Sequence, residues 1–97
     1  MFGLTDKEIQ GLRQIFTSVP EVKEVILYGS RARGDYKPYS DVDITLIGDN
    51  LQINHLSQIE QAIDDLYMPY FVDLSLKKNL TNPALLHNIE RDGARII

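Results

Sequence analysis

A chain of 97 residues that is 43% hydrophobic can form one apolar core but not two, so we expect a single domain over residues 1–97. Its formal net charge of -4 argues against broad binding of DNA or RNA, because that mode needs a dominant basic face. The absence of cysteine excludes disulfides, thiolate nucleophiles and Cys-ligated zinc. A domain this small buries a modest share of its surface, which favours association with a partner or formation of a homo-oligomer.

The N-terminal stretch MFGLTDKEIQ lacks the charged-then-apolar layout of a signal peptide, and no apolar run in the chain approaches membrane-spanning length. We therefore expect a cytoplasmic protein with no membrane partner. Within this stretch, Thr5 and Glu8 have the spacing of a capping box, which predicts that a helix begins there. Apolar residues follow at helical spacing, and Pro20 limits the helix.

Three segments have the composition of strands. VKEVILYG is rich in β-branched and aromatic residues and ends on glycine, which predicts a strand that runs into a turn. DVDITLI predicts a second strand in which Asp41, Asp43 and Thr45 share one face. YFVDLSL predicts a third strand, with Asp73 among apolar neighbours. The terminal ARII is expected to add a short strand.

Two more helices are predicted around the third strand. Apolar residues at helical spacing mark an amphipathic helix that ends by Pro69, namely Leu56, Ile59, Ile63 and Leu66. The last helix has Asn82 as its cap, Pro83 in its first turn and Gly93 past its end. This order of elements predicts an α/β or α+β fold, in which helices pack against a small mixed β-sheet.

The paired aspartates of the second strand point to metal binding. Asp41 and Asp43 would extend from one face, and two carboxylates that close raise each other's pKa unless a cation neutralises them. Oxygen ligands suit hard ions such as Mg²⁺ or Mn²⁺. Asp73 would add a third carboxylate if its strand lies beside the first pair. The alternative is an ordinary half-exposed sheet with aspartates on its solvent face.

The GSRARG stretch predicts a turn between the first strand and a short helix. Gly29 permits close approach of the backbone, and Ser30 can offer its hydroxyl and backbone N–H to a phosphate oxygen. Arg33, ahead of Arg31, is the candidate for a charged contact with a polyphosphate, because guanidinium geometry matches phosphate oxygens. The alternative for either arginine is a solvated surface side chain.

GSRARG, SDVD and VDL, in this order, resemble the signature of the nucleotidyltransferase superfamily that includes DNA polymerase beta. The short chain is similar to the minimal nucleotidyltransferase (MNT) branch, and the resemblance covers nearly all of it. The family pattern is a Gly-Ser turn, a paired Asp-x-Asp and a third Asp on a neighbouring strand. The matching positions are Gly29, Ser30, Asp41, Asp43 and Asp73.

The resemblance implies a nucleotidyltransferase fold and the transfer of a nucleoside monophosphate to an acceptor hydroxyl. It implies ATP as the nucleoside triphosphate and two Mg²⁺ ions, or Mn²⁺, as cofactors. In that scheme Asp41 and Asp43 hold both ions, and Asp73 helps one ion to activate the acceptor. Ser30 would hold the triphosphate tail as pyrophosphate leaves, while Arg33 is a candidate from its own chemistry and not from the family pattern.

Minimal nucleotidyltransferases also resemble one half of two-gene toxin–antitoxin systems whose other half is an all-helical HEPN-domain ribonuclease. The implied partner is therefore a HEPN-domain toxin, and the implied acceptor is one of its tyrosine hydroxyls. One alternative is a non-catalytic antitoxin-type binding module that neutralises the helical partner by forming a complex. Another is a chain that needs a separate helical protein to act on a small molecule. The complete acidic set favours an enzyme, since a steric inhibitor has no use for clustered charge.

Overall fold

The structure is a computed structural model that describes residues 1–97. The elements follow the predicted order, with a 3-10 turn at Lys77–Asn79 after the third strand: α1 (Asp6–Thr17), β1 (Glu24–Tyr28), α2 (Ser30–Arg33), β2 (Val42–Ile47), α3 (Ile53–Asp64), β3 (Val72–Leu76), α4 (Pro83–Asp92) and β4 (Ala94–Arg95). The predicted short terminal strand is confirmed as β4. None of the helices is both long enough and apolar enough to cross a membrane.

The four strands form one mixed sheet in the order β3-β2-β1-β4. Strand β1 runs antiparallel to both β2 and β4, whereas β2 and β3 are parallel. Helix α3 makes the crossover between the two parallel strands, as a parallel pair requires. The predicted mixed sheet is thereby confirmed, and β3 is left as an edge strand.

Helices α1 and α3 cover one face of the sheet, where the main apolar core lies. Alternate residues of β1 and β2 point into this core and are almost inaccessible to solvent, namely Val25, Leu27, Val42, Ile44 and Leu46. Leu12 and Phe16 of α1 and Ile59 of α3 belong to the same cluster. Burial of this apolar stripe is what holds the two helices on the sheet.

The opposite face is only partly covered. Helix α4 packs against β1 there, with Ile89 buried. Asp43 of β2 remains half-buried on this face, and Asp73 of β3 is exposed. The fold therefore has one closed apolar face and one face that is open over β2 and β3.

One helix start agrees with its predicted position and one helix end does not. At α1, Glu8 N–H donates to Thr5 Oγ1 at 3.1 Å and Thr5 N–H donates to Glu8 Oε1 at 2.8 Å, which confirms the capping box. The third helix ends earlier than the apolar pattern predicted, at Asp64, and Leu66 lies beyond it with 37% of its surface exposed. The cause is a tight exit turn in which Leu66 N–H donates to Ile63 O at 3.0 Å.

Candidate active site

The register of the parallel strands decides where two of the three candidate carboxylates lie. Asp43 of β2 is paired with Asp73 of β3. Paired residues of adjacent strands project to the same side of a sheet, so both side chains occupy the open face. The structure thereby confirms that the strand of Asp73 lies beside that of Asp43, whereas the register says nothing of Asp41.

Asp41 is the candidate carboxylate that lies outside the sheet. Strand β2 begins at Val42, one residue later than the predicted strand, and Asp41 is exposed in the preceding loop. The first hydrogen bond that ties this segment to β3 runs from Val42 N–H to Phe71 O at 2.9 Å. The ladder therefore positions Asp43 and Asp73 directly, whereas Asp41 depends on how its loop is held.

The glycine turn touches the acidic pair. Gly29 adopts φ 77° and ψ -156°, a conformation that residues with a Cβ strongly disfavour. A Cβ added there would collide with the carboxylate of Asp43, so the turn backbone and that side chain are in direct contact. Ser30 follows as the first residue of α2 and is half-buried. Gly29 of the predicted phosphate-binding turn and Asp43 of the predicted metal ligands are therefore neighbours.

Electrostatics reflect this crowding of acidic groups. The pKa of Asp43 is raised, chiefly because burial disfavours its charged form, and next because Asp73 and Asp41 repel the charge. The positive charge of Arg33 acts in the opposite direction on the pKa of the same carboxyl, because it favours the ionised form. Arg33 also forms an exposed ion pair with Asp35, with Nε and Oδ2 3.3 Å apart.

The carboxylates of Asp41, Asp43 and Asp73 suit a hard divalent cation, although their side chains do not converge on a single point. No group of three His, Cys, Asp or Glu residues in the chain converges as a metal site. Asp41 and Asp73 are exposed and can rotate, and the raised pKa of Asp43 comes partly from repulsion that a cation would relieve. Oxygen-only ligands around a shared negative potential fit Mg²⁺ or Mn²⁺, so the residues present are compatible with that ion.

The sequence did not indicate that polar side chains of neighbouring positions, namely Tyr28, Thr45 and Ser75, lie on the same face of the sheet as the acidic pair. Tyr28 lies directly across from Asp43 in the antiparallel ladder, and its hydroxyl pKa is raised, first by burial and further by Asp43 and Asp73. Ser75 Oγ donates to Thr45 Oγ1 at 3.1 Å on the same face. The alternation of β1 was the available signal, because Tyr28 ends the strand just before Gly29.

Arg31 behaves differently from either reading of the sequence. The sequence suggests a weaker phosphate ligand or a solvated side chain. Both predictions are wrong, since only 1% of the surface of Arg31 is exposed. Its guanidinium donates instead to backbone carbonyls, including that of Ser40 at 2.8 Å from Nη2. The reason is that α2 turns this side chain inward, beneath the loop that leads to Asp41.

Residues 10–97 match the family model described as polymerase beta, nucleotidyltransferase. Curated relatives come from Methanocaldococcus jannaschii. One, provisionally named protein adenylyltransferase MJ1379, is 33% identical over 82 residues, which cover 82% of each chain. Another of the same provisional name, MJ1217, is 31% identical over 81 residues and again covers 82% of each chain.

Solved structures have the same fold at lower identity. A toxin–antitoxin crystal structure with AMP-PNP matches with a TM-score of 0.71 and 20% identity, over 97% of this chain and 73% of that one. A tri-AMPylated Shewanella oneidensis HEPN toxin in complex with an MNT antitoxin matches with a TM-score of 0.70 and 14% identity, over 97% and 72% of the two chains. A nucleotidyltransferase-like protein from Sulfolobus solfataricus gives a TM-score of 0.56 at 20% identity, over 90% and 73%.

Proposed function

The chain belongs to the polymerase beta nucleotidyltransferase family, and on that premise we propose that it transfers AMP from ATP to a hydroxyl group of a helical HEPN-domain partner. The provisional names of the curated relatives, protein adenylyltransferases, support AMP as the transferred group. The partner class is supported by the fold shared with an MNT antitoxin that was crystallised with an AMPylated HEPN toxin. The proposed biological role is that of an antitoxin.

One observation carries the proposal: the backbone of Gly29 lies against the carboxylate of Asp43, which is paired in register with Asp73. A phosphate chain that enters at the Gly29–Ser30 turn would therefore reach the acidic pair at once. An ordinary solvent-exposed sheet needs no such contact between a strained glycine and a half-buried carboxylate. A purely steric binding module does not need it either.

The chain's own residues have the following proposed roles. Ser30 donates hydrogen bonds from its hydroxyl and backbone N–H to oxygens of the β- and γ-phosphates, and Arg33 balances their charge. Asp41, Asp43 and Asp73 would hold Mg²⁺ or Mn²⁺, which would supply the positive charge needed at the attacking and leaving oxygens.

In the transfer itself, the acceptor oxygen forms a bond to the α-phosphorus of ATP while the bond from that phosphorus to the pyrophosphate oxygen breaks. Asp73 is exposed, whereas Asp43 is half-buried, so Asp73 takes up the proton of the acceptor hydroxyl. Pyrophosphate leaves from the side of the Gly29–Ser30 turn. Catalysis would thus depend on position and charge, with no covalent enzyme intermediate.

The test combines labelled ATP, Mg²⁺ and the product of the neighbouring gene, identified by co-purification. ATP labelled at the α-phosphate is expected to label the partner protein, whereas ATP labelled at the γ-phosphate is not, because the γ-phosphate leaves in pyrophosphate. Asp43→Asn is expected to abolish transfer. Asp49→Asn is the matched control, since Asp49 is an exposed aspartate in the turn after β2 and outside the site.

Neutralisation of the partner separates the enzyme from the binding module. A purely steric antitoxin would still neutralise its partner when Asp43 is replaced by Asn. If the Asp43→Asn variant binds the partner but no longer neutralises it, turnover is required. Transfer that persists at the wild-type rate in Asp43→Asn would remove these carboxylates from the mechanism.

A further inference from the structure

Arg31 is the largest side chain that the fold buries completely, with 1% of its surface exposed. A guanidinium cannot lose its charge in a protein, so its burial is costly unless its donors are satisfied. The ion pairs of the chain involve other arginines and a histidine, not Arg31. Something other than a direct carboxylate partner must therefore account for its position.

Backbone carbonyls from two separate segments accept the Arg31 donors. Nε and Nη2 both donate to Ser40 O, at 3.0 and 2.8 Å, and Nη2 also reaches Pro38 O at 3.3 Å. Nη1 donates to Phe2 O at 2.9 Å. The planar fork of the guanidinium thereby ties helix α2 to the N-terminal segment and to the loop that runs from α2 to β2.

Two aromatic rings complete the surroundings of the guanidinium. Its Cζ lies 4.5 Å from the centroid of Tyr70 and 5.2 Å from that of Tyr36. The Tyr70 hydroxyl donates to Glu8 Oε1 at 2.8 Å, which brings a negative charge near without a direct ion pair. Tyr70 precedes β3, the strand of Asp73, so Arg31 contacts the approach to that strand as well.

These contacts hold the loop next to Asp41, the one candidate metal ligand that lies outside the sheet. Ser40, whose carbonyl receives two of the hydrogen bonds, is the residue before Asp41. Arg31 is itself the residue after Ser30, so a single side chain spans from the phosphate turn to the acidic loop. Lysine would not reproduce this arrangement, because its single ammonium nitrogen would replace the three separate nitrogens with which Arg31 donates to Ser40 O, Phe2 O and Pro38 O.

We propose that Arg31 is a positioning residue that sets Asp41 relative to the Gly29–Ser30 turn and to Asp43, without touching the nucleotide. The proposal rests on the proposed function, because it assigns Asp41 to the metal and nucleotide site. It predicts that loss of the guanidinium weakens metal binding at a site whose two other carboxylates remain in place.

The test compares Arg31→Lys with the wild type in two readouts at a temperature where both are folded. The Mg²⁺ concentration for half-maximal AMP transfer is expected to rise about tenfold, as is typical when the support of a metal ligand is lost, with a smaller change in kcat at saturating Mg²⁺. The Kd for Mn²⁺, measured by water proton relaxation without ATP, is expected to rise by a similar factor.

Ile96→Val is the control for stability alone. Ile96 is a buried residue of the apolar core whose N–H donates to Val25 O near the start of β1, whereas Arg31 follows the other end of that strand, so this variant lowers Tm without removing any of the Arg31 contacts. It is expected to keep the wild-type Mg²⁺ requirement and Mn²⁺ affinity. Equal shifts in Ile96→Val and Arg31→Lys, or no shift in Arg31→Lys, would overturn the positioning role.

A second variant covers the case in which Arg31→Lys does not fold. Tyr36→Leu removes one ring from the guanidinium and leaves its hydrogen bonds, and it is expected to raise the Mn²⁺ Kd by about two- to threefold. An unchanged Kd there would count against the proposal. A wild-type chain that binds Mn²⁺ but transfers no AMP would refute the proposed function alone, because the relaxation readout needs no turnover.

Discussion

Asp43 and Asp73 are paired across the parallel strands β2 and β3, so their carboxylates share the open face of the sheet. Like charges in directly opposed positions destabilise a sheet, and this pair has no basic side chain between its members. The arrangement is costly for the empty fold and useful for a site that binds cations.

Replacement of Asp73 by Asn is expected to lower AMP transfer by roughly 10²–10⁴-fold, the usual contribution of a positioned proton acceptor. In metal-free buffer the same change is expected to raise Tm by a few degrees at most, because it removes repulsion with Asp43. Label transfer and thermal unfolding measure the two effects. Asp64→Asn, on an exposed position of α3, is the control and should alter neither.

Replacement of Gly29 by Ala is expected to cost both stability and activity, because the new Cβ meets the Asp43 carboxylate and the backbone has φ 77°. Gly34→Ala separates these causes, since Gly34 has φ 92° but no atom within 4 Å of an added Cβ. Gly34→Ala should lose about 1 kcal/mol, or roughly 4–8 °C in Tm, and keep its activity. Wild-type activity in Gly29→Ala would contradict the close contact.

Divalent cations are expected to raise Tm in the wild type, because they bind only the folded arrangement of carboxylates. A concentration of one hundred times Kd should add about 2.7 kcal/mol of stability. The gain should vanish in Asp43→Asn and after removal of the metal with EDTA, and it should persist in Asp49→Asn. A Tm rise of equal size in Asp43→Asn would place the cation elsewhere.

The pH dependence of stability is expected to report on Glu8. Burial opposes its charge, but hydrogen bonds from Thr5 and Tyr70 and the positive charge of Arg31 outweigh it and hold the Glu8 pKa below its ordinary 4.5. A lowered folded-state pKa stabilises the fold above the unfolded value, and this contribution is lost as pH falls through the folded value. The wild type should therefore have a higher Tm than Glu8→Gln, with the largest difference at pH 7 and a smaller difference below about pH 4.5.

Glu90→Gln serves as the matched control for that titration. Glu90 is exposed on α4, and neither the hydrogen bonds of Tyr70 and Arg31 nor their ring contacts involve it. Its Tm difference from the wild type should stay small at every pH. A Glu8→Gln difference that grows on acidification would show that the sign assigned to the Glu8 pKa is wrong.

Much of the secondary structure could be predicted from local patterns. Thr5 with Glu8, and Asn82 with Pro83, mark helix starts because the signals act within one turn of backbone. Alternation in DVDITLI assigned Asp43 to the polar face for the same reason. The end of α3 was missed, because the apolar Leu66 extends the helical pattern past the point where the chain turns away.

Local sequence thus determined the elements, the Gly-Ser turn and the three aspartates as candidates, since each depends on residues a few positions apart. Only the tertiary structure decided that Asp73 pairs with Asp43, that Tyr28 lies across from Asp43, and that Arg31 is buried under the loop of Asp41. Strand register and the burial of one guanidinium depend on contacts between segments far apart in the chain. Periodicity within a strand fixes which face each residue occupies, but not which residue of another segment lies beside it.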